Sequence, residues 1–557
     1  MRILTVLLCF VLLFEGQRPL EAKQSVHTRQ AMVVAEEPLA AAVGAAVLKS
    51  GGNAVDAAVA VGFALAVTFP YAGNLGGGGF LLATMADGRS TFIDFRERAP
   101  EKSSRNMYLD SNGQVTKDSV EGWRASGVPG TVRGLEFAHN KYGRKTWQEL
   151  MAPAIALAKN GFTVPYSLSE SLKNSAPSLA KFPESKRIFL NGGAGFEMGA
   201  HFAQPDLART LERIAKNPTD FYEGETAKLI AAGMAAGGGL ITLADLKNYK
   251  PVEREPLKGK YKGYDIITAP PPSSGGIGIL QMLGMLEGSG YEKSGAGSAA
   301  TIHYVAEVMR RYYADRSEYF GDPDFTKVPV RALLNPDYIA KRRASIDPAH
   351  ATPSSEILAG KLAGYESSET THLSIVDKDG NAVAMTYTLN GGYGSKVTIP
   401  GAGILMNNEM DDFAAKPGVP NMFKLIQGEA NAIQPGKRPL SSMTPTILLR
   451  NGKPFLVVGG PGGSKIISSV LQVILNVVDF GMNPQDAVDA PRFHHQWQPD
   501  ALTVEKGFSP DTLKLLESRG HKVELSTSVA RVEAIVIDQG WLQGGADGRG
   551  YGKVEGY

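Results

Sequence analysis

The chain has 557 residues, with 58 basic and 56 acidic side chains, a formal charge of +2, and 43% hydrophobic residues. So much apolar side chain excludes disorder as the main state, and the near balance of charge removes the electrostatic case for nucleic-acid binding. Glycine, at 64 residues, exceeds the usual ~7% without a collagen period and points to tight turns and close backbone approaches.

Behind Met1-Arg2, residues Ile3 to Phe14 form an apolar run that holds Cys9, the single cysteine. The run is shorter than the ~20 residues a bilayer span needs and has the size and flanks of a secretory signal peptide, expected over 1–22. A mature chain starting near residue 23 would have no cysteine, hence no disulfide and no thiol chemistry. With no later apolar stretch of spanning length, the mature form is expected to lack a membrane span and to be periplasmic or secreted.

Further along, Gly52-Asn53 precedes a small-residue run to Val67 that predicts a buried helix capped by Asn53. Helical spacing recurs at Trp147 to Lys159 and Asp206 to Lys216, and Ser509-Pro510 opens another helix that Gly520 should end. Strands are predicted at Thr91 to Phe95, Leu373 to Val376, Ala382 to Leu389, Thr446 to Leu449, Phe455 to Val458 and Ala534 to Ile537. Ser345 to Glu369 reads as a loop or linker. Mixed strands and helices without regular alternation indicate an α/β chain of the layered α+β kind.

Most signatures of chemistry are absent: no G-x-S-x-G elbow, no Walker A loop and no H-E-x-x-H. Asp377 to Asn381 reads as a plain turn rather than a calcium loop, and Gly76 to Gly79 as a structural close approach. Thr371 to Val376, the turn at Asp377 to Gly380, and Asn381 to Asn390 read as a β-hairpin. Centred near Asp379, its paired residue numbers sum to about 758, which sets Thr370 opposite Thr388, with Thr386, Thr388 and Asn390 on one face. Ser441-Ser442 places two hydroxyls before a strand. Gly459 to Ser464 follows a buried strand and precedes an apolar run; it suits either an anion-holding turn or an ordinary glycine turn.

Eight motifs, in order, carry a resemblance. They are Gly52-Asn-Ala-Val-Asp-Ala-Ala-Val59, Gly73-Asn-Leu-Gly-Gly-Gly-Gly-Phe80, Asp94-Phe-Arg-Glu97, Pro270-Pro-Pro-Ser-Ser-Gly-Gly276, Thr370-Thr-His-Leu-Ser374, Asn407-Asn-Glu-Met-Asp-Asp412, Arg438-Pro-Leu-Ser-Ser442 and Pro461-Gly-Gly463. Together they resemble the γ-glutamyltranspeptidases (glutathione hydrolases) of the bacterial periplasmic type. The resemblance implies an N-terminal nucleophile hydrolase with an αββα sandwich. It also implies a precursor that cuts itself between Glu369 and Thr370, leaving a large subunit of 23–369 and a small one of 370–557 that stay associated.

By the same resemblance Thr370 is the nucleophile, Thr388 orients it, and the Gly462 and Gly463 amides hold the oxyanion. Arg96, Ser441 and Ser442 would meet the donor α-carboxylate, while Glu409 and Asp412 would take its α-ammonium, with Asn390 adding a polar contact. Substrates would be glutathione and other γ-glutamyl compounds, with water or amino acid and peptide acceptors; no cofactor or metal is implied. Pro417 to Gly428 resembles a lid loop, with Phe423 where bacterial members often carry Tyr. The alternatives are a related acylase for β-lactam side chains, a poly-γ-glutamate depolymerase, or an inactive periplasmic amino-acid or peptide-binding homologue.

Overall fold

The computed structural model describes residues 24–358, 371–416, 419, 421–422 and 428–557. The expected signal segment, Thr370 with Glu369 before it, and Phe423 lie outside the described residues.

The elements that position the site begin with β1 (Val26–Thr28), β2 (Met32–Ala35), α1 (Pro38–Lys49) and α2 (Ala54–Thr68). α2 starts where the sequence predicts. The Asp56 N–H donates to Asn53 Oδ1, and the Asn53 N–H donates to Asp56 Oδ2, both at 2.9 Å, a reciprocal cap that satisfies two end amides. Small and apolar on every side, α2 is buried along its whole length. There follow β3 (Gly78–Thr84), β4 (Ser90–Asp94), α3 (Trp147–Asn160), α4 (Pro205–Lys216), β5 (Val252–Arg254), β6 (Leu257–Tyr261) and β7 (Tyr264–Thr268). The helices α5 (Gly275–Leu286) and α6 (Ala299–Tyr319) complete the part before residue 370.

After it come β8 (Thr371–Val376), β9 (Ala382–Thr388), β10 (Thr446–Arg450), β11 (Lys453–Gly459), α7 (Lys465–Val478), α8 (Pro510–Ser518), β12 (Glu533–Asp538), β13 (Trp541–Ala546) and β14 (Lys553–Gly556). They form two seven-stranded sheets. One runs β14-β2-β8-β9-β3-β4-β5, the other β1-β13-β12-β11-β10-β7-β6. Period-two alternation sorts the layers. Val33, Ala35, Leu81, Ala83, Leu373 and Ile375 pack outward with α1 and α2. Their neighbours Met32, Val34, Phe80 and Leu82 face the second sheet, whose core continues into α5, α6 and α7. The result is the αββα sandwich of the expectation.

The hairpin register is also the expected one: Thr371 pairs with Tyr387 and His372 with Thr386. Asn390 departs from it. β9 ends at Thr388, and Asn390 sits beyond the strand at φ 74, a left-handed conformation that Asn tolerates. α8 opens after Ser509, whose Oγ accepts from the Asp511 N–H at 3.3 Å. β3 escaped the sequence reading because glycines open it. The close approach inferred for that run is real, since a Cβ on Gly77 would lie 1.9 Å from the Thr388 carbonyl oxygen. Residues 345–358 are irregular as expected, yet tied to the later half of the chain: Trp497 Nε1 donates to the Ser354 and Ile357 carbonyls at 2.8 and 2.9 Å. Among the described residues no helix is long and apolar enough to cross a membrane.

Candidate active site

One end of the sandwich gathers all the motifs but Gly52 to Val59, which lies at the hairpin turn, where the Ala54 N–H donates to Asp377 Oδ2 at 2.9 Å. The start of β8 lies beside the end of β9, which pairs with the start of β3 through Thr388 and Gly78. In the facing sheet the start of β10 lies beside the end of β11, with Thr446 paired to Val458. The two ends touch: a Cβ on Gly459 would come 2.3 Å from the His372 ring. His372 is buried between the sheets, with Nδ1 2.7 Å from Thr386 Oγ1 and Nε2 3.1 Å from Ser374 Oγ. Burial holds its pKa down at about 3, so the ring is neutral.

Thr388 Oγ1 accepts the Asn390 N–H at 2.7 Å, which turns the chain out of the strand. The Thr388 carbonyl accepts from Asn74 Nδ2 at 2.8 Å, and Asn74 Oδ1 in turn takes the Gly77 N–H and the Thr131 hydroxyl. Asn390 Nδ2 donates to the Asn408 carbonyl at 3.0 Å, tying the hairpin end to the 407–412 loop. Asn407 pins that loop from beneath, giving Nδ2 to the Gly76 and Gly127 carbonyls and accepting from the Glu409 N–H. Asn74 and Asn407 fall inside recognised motifs, but only the long-range contacts show what they do.

Arg96, just past β4, is 1% exposed. It donates to Glu409 through Nη1 and to Asp412 through Nη2. Its remaining donors reach the Leu440 carbonyl at 3.0 Å and the Pro439 carbonyl at 3.2 Å. The residues expected to grip opposite ends of a donor head group thus form one ion-pair network. Sequence reasoning also missed a third acid: Glu97 Oε2 lies 3.8 Å from Arg96 Nη1 and is fully buried. Burial pushes the Glu97 carboxyl up to about 7 and the Glu409 carboxyl well above its usual range, with Arg96 pulling both down. Three buried carboxyls therefore share one guanidinium.

Ser441 and Ser442 follow directly on the carbonyls that hold Arg96. Ser441 Oγ accepts the Met443 N–H at 3.2 Å, while Ser442 Oγ is buried with no hydrogen-bond partner among the described residues. The loop is held in place by Asp322, which accepts the Arg438 N–H at 2.7 Å. On the other side, Gly462 and Gly463 lie between β11 and α7 at φ 138 and 62, a region that suits glycine. Neither amide donates to a protein acceptor among the described residues. Both precede the N-terminus of a 14-residue helix, whose dipole favours negative charge there.

The family model described as Gamma-glutamyltranspeptidase matches residues 40–557. This chain belongs to the γ-glutamyltranspeptidase family. It is 52% identical over 528 residues to the glutathione hydrolase proenzyme of Escherichia coli (strain K12), covering 94% of this chain and 91% of that one. To the glutathione hydrolase proenzyme of Pseudomonas sp. (strain A14) it is again 52% identical, over 516 residues, 92% of this chain and 90% of the relative. Among solved structures, the cephalosporin acylase of Bacillus halodurans superposes with a TM-score of 0.85 at 28% identity, covering 98% of each chain. The shared fold thus extends to a protein named as a cephalosporin acylase.

Proposed function

We propose that the chain is an exported, self-processing enzyme that cleaves γ-glutamyl amide bonds of glutathione and related compounds and passes the acyl group to water or to amino acid and peptide acceptors. The observation that carries the reading is the Arg96 network. One guanidinium set among Glu97, Glu409 and Asp412 is short of positive charge in a buried place. An α-amino-acid head group supplies an ammonium for the acids and a carboxylate for Arg96, which takes it by exchanging a bond to Glu409 or Asp412. A glutaryl-type acyl group lacks the ammonium, which argues against an acylase of that kind.

The chemistry follows from residues 370 onward. The Thr370 hydroxyl attacks the Glu369 carbonyl, the peptide nitrogen leaves as the new α-amine, and water hydrolyses the resulting ester. The freed amine then takes the hydroxyl proton as Thr370 attacks the γ-carbonyl of a donor. The Gly462 and Gly463 amides receive the oxyanion, and Thr388 fixes the nucleophile's direction. The leaving amine departs protonated, and water or an acceptor amine opens the γ-glutamyl ester. The signal segment over 1–22 would direct the chain across a membrane before this takes place.

Two measurements test this together: N-terminal sequencing of the purified fragments and turnover of a γ-glutamyl anilide. Fragments beginning at Thr370 with anilide hydrolysis are the expected result. A single full-length band without turnover would leave the binding-protein alternative standing.

A further inference from the structure

Asp94, the last residue of β4, is fully buried and reaches both loops that meet at Arg96. Its Oδ1 accepts the Arg96 N–H at 3.0 Å and lies 3.4 Å from Nε of Arg438, which opens the 438–442 loop. Its Oδ2 accepts from Arg254 Nε at 2.8 Å. β5 delivers that arginine from the edge of the sheet: Arg254 pairs with Phe92, so its side chain shares a face with Asp94, two residues further along β4. Arg254 is held from outside by Asp324, to which Nη1 and Nη2 donate at 3.1 and 2.8 Å. Arg438 gives its N–H to Asp322 and its Nη2 to the Lys250 carbonyl. Asp94 thus bonds to the Arg96 main chain, while Glu97, Glu409 and Asp412 surround the guanidinium.

We propose that Asp94 is a positioning residue for the donor head group, its carboxylate setting the distance between Arg96 and the Ser441-Ser442 pair. The inference rests on the γ-glutamyl reading. Arg96 comes from the part of the chain before residue 370 and the two serines from the part after it, so only non-covalent ties fix their spacing. A buried carboxylate between two guanidinium groups and a main-chain amide is a strong, directional tie. Both arginines have a second acid close by: Arg438 Nη1 is 3.8 Å from Asp324, and Arg254 Nη2 is 4.0 Å from Asp322. Without the Asp94 charge they turn to those acids, and the 438–442 loop moves with Arg438 while Arg96 stays at the end of β4. A head group that needs both loops then binds less tightly, whereas the glycine loop at Gly462 keeps its place. The effect belongs to binding of the donor rather than to the chemical step.

Asp94→Asn tests this, since it keeps an oxygen for the Arg96 N–H and removes the charge. The measurements are KM and kcat on a γ-glutamyl anilide, the inhibition constant of free L-glutamate, and the yield of self-cleavage. KM and the glutamate constant should rise together by about tenfold, equivalent to about 1.4 kcal/mol, with kcat within about threefold of wild type and self-cleavage complete. Arg254→Met added to Asp94→Asn should restore part of the lost affinity, because it removes a buried cation left without its partner. A residue that merely holds the fold together would instead lose further with the second change. Arg254→Met alone, made on an edge strand, should weaken glutamate in the same direction and decides the matter if Asp94→Asn does not fold. A glutamate constant within about twofold of wild type in the folded variants, or a double variant that binds worse than either single one, overturns the assignment. Wild type keeps the two readings apart. Without anilide turnover the γ-glutamyl reading fails; with turnover and an unmoved glutamate constant in the variants, the role of Asp94 alone fails.

Discussion

Arg96 is the residue whose removal has two separable costs. Its guanidinium is the only positive charge in direct contact with Glu97, Glu409 and Asp412 among the described residues. Arg96→Met should lower kcat/KM on γ-glutamyl donors by roughly 30-fold to several thousand-fold, from the ~2–5 kcal/mol typical of truncating one member of a desolvated pair. Cleavage at residue 370 should proceed in the same variant, because the chain itself presents that bond. The second cost is stability, since buried carboxyls left without a counter-charge destabilise by about 3–5 kcal/mol or take up protons. Kinetics of folded, processed protein separate the two, and a loss below about threefold would end the carboxylate assignment. Arg96→Lys should recover only part of the activity, a point charge being unable to copy the fork.

The raised Glu97 carboxyl makes a prediction of its own. Its folded pKa, about 7, exceeds the ordinary 4.5. Between those values the unfolded chain has lost the proton and the folded chain keeps it. Stability from this group is therefore full below about pH 4.5 and falls as pH rises toward 7, at up to about 1.4 kcal/mol per pH unit. Glu97→Gln should flatten that part of the profile relative to wild type, read as the difference between their denaturant midpoints at each pH. Identical slopes would mean that Glu97 does not hold its proton in the fold.

At the scale of elements, the contact between β8 and the end of β11 sets how the strand that follows residue 370 meets the glycine loop. His372 fills the space that Gly459 leaves, bonded on both ring nitrogens within its own sheet. Gly459→Ala would drive a Cβ into the ring at 2.3 Å. The sheets must then shift, at a cost of about 1–3 kcal/mol for overpacking. The shift falls three residues before Gly462, so turnover should drop along with the thermal midpoint. Self-cleavage yield and anilide turnover, measured on the same preparations, report both sides of that contact. A variant with a lowered midpoint and unchanged turnover would show that the loop is placed without help from His372.

Across the whole molecule, the two halves of the chain interleave rather than sit side by side. In the first sheet β14, β8 and β9 alternate with β2 and β3; in the second, the run β13-β12-β11-β10 is flanked by β1 and β7-β6. A cut between residues 369 and 370 would therefore leave two pieces whose strands share both sheets and one core. Separating them means breaking the ladders β2–β8 and β3–β9 and exposing the interior between the sheets. Cleaved protein should elute as one species under native conditions and give two bands in denaturant, whereas Thr370→Ala should give one band in both. Spontaneous dissociation of native fragments would contradict the interleaved architecture.

Local order was legible in the sequence where local rules govern it. The Asn53 cap, the helices expected from Trp147 and Asp206, the Ser509 start and the hairpin register about Asp379 all follow from spacing within a few residues, and each is found in the structure, the second helix starting one residue earlier at Pro205. Motif order carried the family and with it the sandwich. Tertiary structure alone decided that Arg96 bonds Glu409 and Asp412, 313 and 316 residues away, that Glu97 joins them, and that Asn74 and Asn407 hold the strand end and the acidic loop. No periodicity encodes such pairs. They are selected by which polar groups end up buried together and must satisfy one another once the apolar faces of two sheets have closed.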